Sequence, residues 1–176
     1  MKLYYSPNMI LRVAVAVARH LRSPVEYVIA SPRAPGNTEA FRSINPNALV
    51  PVLEDGARRI WETDAIACHL SRAVGSDFWR DGGDQPEMIM WLSWAAYHFN
   101  KAGGGLYFEK LIRPHYMNQP PDPIVVAKST VDFREYAAVL DGALEGRTWL
   151  LDGDRPSYAD FRVATPLPFA AGADMP

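Results

Sequence analysis

The stretch INPNALVPVLEDG, residues 44–56, decides the fold of the first half of the chain. Val50, Val52 and Leu53 are typical of a short buried strand, yet Pro51 interrupts them. Proline removes a backbone hydrogen-bond donor, so a central strand does not readily accept one. The ordinary explanation for Pro51 is a trans proline on an edge strand, and whether it applies depends on the surrounding sequence.

Strand and helix patterns alternate on both sides of this stretch. The predicted elements before it are a strand over 3–5, a helix over 9–21, a strand over 25–29 and one or two helical turns over 38–43. After it, Asp55-Gly56 predicts a hairpin, and Thr63 opens a helix that runs to about Ala73. The order β-α-β-α-β-β-α predicts an α/β domain with one mixed four-stranded sheet.

The second half of the chain has a different pattern. Glycines, charges and a proline over 76–85 predict a linker between a domain at 1–75 and a helical domain at 86–176. Glycines 103–105 are expected to interrupt the first helix, and the proline-rich segment 114–123 is expected to be a loop. A long amphipathic helix follows, and Ser157 with Asp160 has the spacing of a helix capping box.

Composition excludes several classes of function. The 176 residues carry a formal net charge of −2 with scattered basic residues, which favours neither a nucleic-acid partner nor a membrane partner. Cys68 is the single cysteine, so an internal disulfide is impossible and a cytoplasmic protein is expected. Cys68 also lacks a Cys-x-x-Cys setting, and no His, Cys or acidic cluster has metal-ligand spacing, so no metal is expected.

Two segments together resemble the glutathione transferase family. They are NPNALVPVLEDG with IWETDAIACHL in the first half, and LLDGDRPSYADF near the end. The resemblance spans nearly the whole chain and implies a thioredoxin-like domain with a mixed four-stranded sheet, followed by an all-α domain. It also implies glutathione as co-substrate, a small hydrophobic electrophile as second substrate, and a homodimer. The family's helical domain usually continues beyond the capping-box helix, so a shortened C-terminus is expected.

The resemblance also implies a reason for Pro51. In the family this bond is cis, and the residue before it, here Val50, pairs its N–H and C=O with the cysteine backbone of glutathione like an added strand. Thr63 would hold the γ-glutamyl carboxylate through its hydroxyl and the free amides of a helix start. Glu62 would pair with the glutathione ammonium. Taken alone, Thr63 is an ordinary helix-capping residue and Glu62 a solvated surface acid.

Glutathione chemistry needs a donor that stabilises the thiolate, since a free thiol has a pKa of about 8.5. The resemblance implies that this donor lies at the end of the first strand or in the next loop. The candidates there are Tyr5, Ser6 and Asn8, because Met9 and Ile10 occupy the places of the serine and cysteine that other classes use. Tyr5 falls where the tyrosine classes carry their catalytic tyrosine, and Asn8 and Tyr5 are the two residues expected near the thiol. As structural residues, Tyr5 would be a strand aromatic, and Ser6 and Asn8 would be turn residues.

A pocket for the electrophile is expected between the domains. Its expected walls are apolar and aromatic: Met9, Ile10, Trp94, Tyr97, His98 and Tyr107. Aromatic residues at helical spacing more often belong to a core, and a lone histidine is more often packed or solvated than catalytic.

Three functions are considered for this sequence: one leads, one is an alternative and one is disfavoured. The leading hypothesis is a glutathione transferase whose thiolate attacks an electrophile or reduces a peroxide or mixed disulfide. Met9 and Ile10 in the catalytic loop favour an alternative, a non-catalytic binding or regulatory module that keeps the fold. A thioredoxin-like disulfide exchanger is disfavoured because this loop has no cysteine.

Overall fold

A computed structural model of the chain describes residues 1–7 and 12–176. The chain divides into two compact units, Met1–Trp79 and Arg80–Pro176. The division between them falls within the segment 76–85, which the sequence predicts as a linker. Each unit is described separately below.

The first unit is built on a mixed four-stranded sheet. Its strands are β1 Lys2–Tyr5, β2 Glu26–Ile29, β3 Val52–Asp55 and β4 Arg58–Trp61. Their order across the sheet is β2-β1-β3-β4, with β1 and β2 parallel and the other two pairs antiparallel. This confirms the predicted fold class and the sheet that the alternating pattern indicated.

Three helices accompany the sheet: α1 Arg12–His20, α2 Thr38–Arg42 and α3 Thr63–Ala73. Successive side chains of a strand point to opposite faces of the sheet, so Leu3 and Tyr4 lie on opposite faces. Leu3 is fully buried, and Tyr27, its partner on β2, lies under the guanidinium of Arg19 on α1 at 5.7 Å. On the other face, the ring of Tyr4 meets Phe41 of α2 edge-on, with centroids 6.0 Å apart. The sheet is therefore covered on both faces.

The predicted hairpin joins β3 to β4. Gly56 in its turn has φ +57°, a left-handed conformation that glycine adopts without a steric penalty. The register pairs Val52 with Trp61 and Asp55 with Arg58, so the hairpin is tight and β4 ends directly before α3. This geometry fixes where α3 begins relative to β3.

The second unit is helical throughout its regular structure, as predicted. Its α-helices are α4 Gln85–Trp94, α5 Asn100–Tyr107, α6 Arg113–Tyr116, α7 Pro123–Ala143 and α8 Tyr158–Val163. The segments Ala95–Phe99 and Phe108–Ile112 are π-helical and connect α4 to α5 and α5 to α6. Short 3₁₀ turns at Gly82–Asp84 and Leu167–Phe169 complete the unit. No described helix is both long enough and apolar enough to cross a membrane.

Two local predictions for this unit are wrong. Glycines 103–105 do not interrupt the helix, because α5 runs through them. A Cβ on Gly103 would lie 2.6 Å from Cβ of Pro166, and one on Gly105 would lie 2.5 Å from the Ser129 hydroxyl. These glycines therefore permit close packing rather than a break. The segment 114–123 is also not all loop, since Pro114 lies in the first turn of α6, where a proline is tolerated.

Candidate functional site

Four positions form a row across one end of the sheet. The last register pairs at this end are Tyr4 with Val52 and Val52 with Trp61, and Ser6, Val50 and Thr63 each lie two residues beyond them along the chain. On the other side of β1, the amide of Ala30 donates to the carbonyl of Tyr5 at 2.8 Å, which continues the β2 pairing. The chain thus brings Ala30, Ser6, Val50 and Thr63, which lie far apart in sequence, to one edge.

Val50 belongs to the segment 44–56, and the conformation of this segment places it in the row. The Val50–Pro51 bond is cis, which confirms the isomer that the family resemblance implies. The Val50 side chain is buried against Phe41 and Val52. Asn45 secures the preceding turn, because its side-chain amide donates to the Leu49 carbonyl at 2.8 Å. Among residues 1–7 and 12–176, the N–H and C=O of Val50 have no hydrogen-bond partner.

The start of α3 supplies unpaired donors to the same row. The carbonyl of Glu62 accepts the first helical hydrogen bond, from Ile66 at 3.0 Å, so Glu62 is the N-cap and Thr63 the first helical residue. This corrects the expectation that Thr63 is the capping residue. The first amides of a helix lack acceptors within the helix, and the Thr63 amide is the first of α3. Within the described chain, the Thr63 hydroxyl has no partner, although the residue is only 7% exposed.

Glu62 has an unusual backbone. Its φ is +71°, in the left-handed region where residues other than glycine are uncommon, and no side chain caps the helix. Such conformations cost of order 1–3 kcal/mol and concentrate at functional sites. The carboxylate is exposed and forms no ion pair with any described residue. It is therefore available to a cation beside the helix start.

A cavity of about 320 Å³ opens on the other side of Val50. Three segments meet there: the end of β1, the loop after β2, and the turn before Pro51. The residues that line it are Ser6, Pro7, Ala30, Ser31, Pro32, Arg33, Ala34, Ala48, Leu49 and Val50. Ser6, Ala30 and Val50 belong both to this lining and to the row, whereas Thr63 belongs to the row but not to the lining.

The three candidate thiol donors have different surroundings. Ser6 lines the cavity next to Val50. The ring of Tyr5 instead packs edge-on against Tyr27 at 6.3 Å, and Tyr5 is not among the residues that line the cavity. Asn8 lies outside the described residues, as do the predicted pocket residues Met9 and Ile10.

The remaining predicted pocket residues lie in the second unit. Trp94 stacks on Phe99 at 5.7 Å and meets Tyr136 edge-on at 6.2 Å, while His98 also contacts Tyr136, at 5.2 Å. These ring contacts show that Trp94 and His98 pack against other aromatic residues of the second unit.

Tyr97 and Tyr107 differ from these two. Tyr97 is 74% exposed, and the ring of Tyr107 meets Phe169 at 4.8 Å. The structure therefore groups Trp94 with His98 through Tyr136, and it gives Tyr97 and Tyr107 separate surroundings. Their role as a substrate pocket stays a prediction.

Two observations on the described residues concern redox chemistry and metal binding. Cys68, the single cysteine of the chain, is partly buried within α3 and forms no internal disulfide. No group of three or more His, Cys, Asp or Glu residues in the described part of the chain is arranged to hold a metal ion.

Sequence reasoning missed Arg33 and the cavity that it lines. The loop ASPRAPGN has no periodic pattern, and its residues become neighbours of Val50 only through the parallel pairing of β1 with β2. A charged residue between two prolines was the only available signal.

Comparisons with known proteins agree on one family. Residues 12–73 match the family model described as glutathione S-transferase, N-terminal domain. A probable glutathione S-transferase, GSTF2, of Oryza sativa subsp. japonica is 31% identical over 169 residues, covering 91% of this chain and 76% of that protein. Glutathione S-transferase 3 of Zea mays is 27% identical over 185 residues, covering 100% of this chain and 80% of that protein.

Solved structures show the same fold. The apo form of human glutathione S-transferase T1-1 superimposes with a TM-score of 0.86 at 23% identity, covering 98% of this chain and 74% of that one. A glutathione transferase family member from Pseudomonas fluorescens, solved with two glutathione molecules bound, has a TM-score of 0.79 at 20% identity and covers 98% of this chain and 78% of that one. At these identities the likeness establishes the fold alone.

Proposed function

The chain belongs to the glutathione S-transferase family, and we propose that it is a glutathione transferase that binds its co-substrate along the row Thr63, Val50, Ser6. The observation that carries this proposal is the set of unpaired groups at one sheet edge. The Val50 backbone and the Thr63 hydroxyl lack partners among the described residues, and an unpaired backbone N–H and C=O are the groups with which an extended peptide pairs.

Charge and geometry support one placement of glutathione along this row, which we propose as follows. The γ-glutamyl carboxylate accepts hydrogen bonds from the Thr63 hydroxyl and the first amides of α3, at the positive end of the helix dipole. The ammonium beside that carboxylate pairs with Glu62. The cysteine of glutathione then lies at Val50, where its backbone adds to the edge as another strand.

Chemistry at the thiol requires a nearby hydrogen-bond donor. The Ser6 hydroxyl borders the cavity beside Val50, so among the three candidates it is the one we propose for this role. Hydrogen bonding to the charged form lowers the pKa of the thiol, and its proton passes to solvent. The thiolate sulfur then attacks an electrophilic carbon, a C–S bond forms, and the leaving group departs with its electron pair. In peroxide reduction the same sulfur attacks one peroxide oxygen, the O–O bond breaks, and an alcohol or water leaves, which gives the sulfenic acid of glutathione. The thiol of a second glutathione then attacks that sulfur and displaces water, so the product is glutathione disulfide.

The proposal is tested by calorimetric titration with glutathione, followed by turnover with a panel of electrophiles and peroxides. Ser6→Ala is expected to shift the pH dependence of turnover upward while leaving glutathione affinity nearly unchanged. Tyr5→Phe and Asn8→Ala are measured in parallel, and the variant that shifts the profile identifies the donor. A parent protein that binds glutathione but turns over no substrate would favour the non-catalytic module, and one that does not bind glutathione would refute both.

We also propose a cytoplasmic homodimer that takes a small hydrophobic electrophile and has a detoxifying role. Large apolar side chains exposed on the second unit support the dimer: Ile89 and Met90 on α4 are 50% and 53% exposed, and Val131 on α7 is 64% exposed. Sedimentation equilibrium should give twice the 19.6 kDa of one chain. The single-chain mass at micromolar concentration would contradict the dimer.

A further inference from the structure

The outer side of helix α7 carries a line of uncovered apolar residues. Ile124, Val131 and Ala138 are spaced seven positions apart, which is close to two helical turns, so they lie in one line along the helix. Ile124 is 79% exposed, Val131 is 64% exposed, and Ala138 is exposed as well. The buried residues of α7 lie on the opposite side: Ser129, Phe133 and Leu140. Single exposed apolar residues are ordinary, but a line of them opposite the packed side of a helix favours a helical partner.

The charged side chains beside this line have no counter-charge within the described chain. Arg134, Glu135 and Asp141 are exposed, and their side chains form no ion pair or hydrogen bond with the described residues. No residue three or four positions from Arg134 is acidic, and the one charged residue at that spacing from Glu135 is another acid, Asp132. Asp141 lies in the last turn of α7, which contains no basic residue and where the helix dipole disfavours an acid. These three charges are therefore available to a neighbouring molecule.

The order of the charges along α7 is complementary to itself when two copies run antiparallel. If a two-fold axis passes between positions 134 and 135, each residue faces the residue equally far on the other side of that point. Arg134 of one copy then faces Glu135 of the other, which gives two ion pairs across the axis, and Val131 faces Ala138. Two parallel copies would instead bring each charge beside its own equivalent, where like charges repel. The charge pattern therefore selects the antiparallel orientation.

The same axis brings a further pair of opposite charges together. Lys128 of one copy faces Asp141 of the other. Lys128 is exposed and already pairs with Asp132 of its own helix, but an ammonium has three donors, so a second carboxylate can share it. Asp141 thereby gains the basic neighbour that its own helix does not provide.

We propose that the outer face of α7 binds the same face of a second copy of this chain in antiparallel orientation. The outer face consists of five residues: Ile124, Val131, Arg134, Glu135 and Ala138. The contact uses one helix from each copy, which is small for a protein interface, so it forms at high protein concentration. It does not rest on the proposed glutathione site. Ile89 and Met90, the exposed apolar residues of α4, lie outside this face, so the α7 contact can join two of the proposed dimers.

Sedimentation equilibrium of the full chain between about 10 μM and about 1 mM tests this contact. The weight-average mass of the parent should rise about twofold over this range. Arg134→Glu and Glu135→Arg each place like charges opposite one another at the axis, so each variant alone should lose the rise. In an equimolar mixture of the two variants every glutamate faces an arginine again, and the mixture should recover the rise.

Lys101→Glu is the matched control. Lys101 is exposed on α5, outside the proposed face, and its variant changes the net charge by the same amount as Arg134→Glu. It should keep the rise in mass, and thermal unfolding should show that every variant is folded.

Four results would overturn the inference: a parent whose mass does not rise, single variants that keep the rise, a mixture that does not recover it, or a control that loses it. The last result would show that net charge governs association rather than the outer face of α7. The mass at the lowest concentration tests the proposed dimer separately, and glutathione titration of Arg134→Glu, which should match that of the parent, tests the proposed function separately.

Discussion

Two helices of this chain begin in opposite ways. At α8, Ser157 and Asp160 form a complete capping box, and the Asp160 carboxylate accepts from the Ser157 amide at 2.8 Å, the Ser157 hydroxyl at 2.9 Å and the Leu150 amide at 2.8 Å. At α3, no side chain caps the helix, the N-cap Glu62 has φ +71°, and the Thr63 hydroxyl has no partner among the described residues.

The difference separates a structural helix start from one that is open to a ligand. Every helix leaves its first amides without acceptors, and a protein satisfies them with its own side chains or with something else. α8 uses its own side chains, so its capping box contributes to folding. α3 has no side-chain cap and begins beside a strained residue, a combination that costs stability and that ligand binding can offset.

Asp160→Ala should destabilise the protein by about 3 kcal/mol. Three donors lose a charged acceptor, and a buried donor without a partner costs about 1–3 kcal/mol. Denaturant unfolding measures the change. Asp154→Ala is the control, because the Asp154 side chain is 95% exposed, and it should change stability by less than about 0.5 kcal/mol. An Asp160→Ala protein as stable as the parent would mean that the capping box does not support folding.

Thr63→Val should weaken glutathione binding by about ten- to a hundredfold, because the variant keeps the shape of threonine but loses a hydrogen bond to a carboxylate. Calorimetric titration measures it. Thr63→Ser keeps the hydroxyl and should bind nearly as well as the parent. Thr165→Val makes the same chemical change at a second buried threonine, whose hydroxyl donates to the Arg162 carbonyl, and it should leave binding unchanged. Equal loss of affinity in both valine variants would indicate a general loss of structure instead.

Glu62→Gly should change stability less than Asp160→Ala and in the opposite direction, by a gain of about 0 to 2 kcal/mol. Glycine removes the cost of the left-handed conformation, of order 1–3 kcal/mol, but loses about 0.5–1 kcal/mol more in entropy on folding. Glutathione affinity should nevertheless fall several-fold, because the partner of the ammonium is gone. Glu62→Gln separates these effects, since it keeps the strain and removes the charge. A stability loss above about 1 kcal/mol for Glu62→Gly would show that α3 depends on its N-cap for folding.

The sequence predicted the regular elements well where a local pattern dictated them. The α3 bounds, Thr63–Ala73, follow from a threonine placed before an apolar helical run, and the capping box of α8 follows from the spacing of Ser157 and Asp160. The cis bond at Pro51 came from the family resemblance, because proline alone is compatible with both isomers.

Features set by tertiary contacts were not predictable in this way. Gly103 and Gly105 suggest a break, but neighbouring side chains leave no room for a Cβ, so the helix continues. The left-handed backbone of Glu62 has no signature, since glutamate does not favour that region. Arg33 lies in a loop without periodicity, and only strand pairing brings that loop to Val50.

The central claim is that glutathione binds at the start of α3 and not at the start of α8. A ¹H–¹⁵N correlation spectrum recorded during a glutathione titration tests it. The amide signals of Val50, Thr63 and Asp64 should shift as glutathione is added, because these groups gain hydrogen bonds to the ligand. The dissociation constant obtained from these shifts should equal the one measured by calorimetry. The amides of Tyr158 and Asp160 should not move. Glutathione binding that leaves Val50 and Thr63 unshifted would contradict the account.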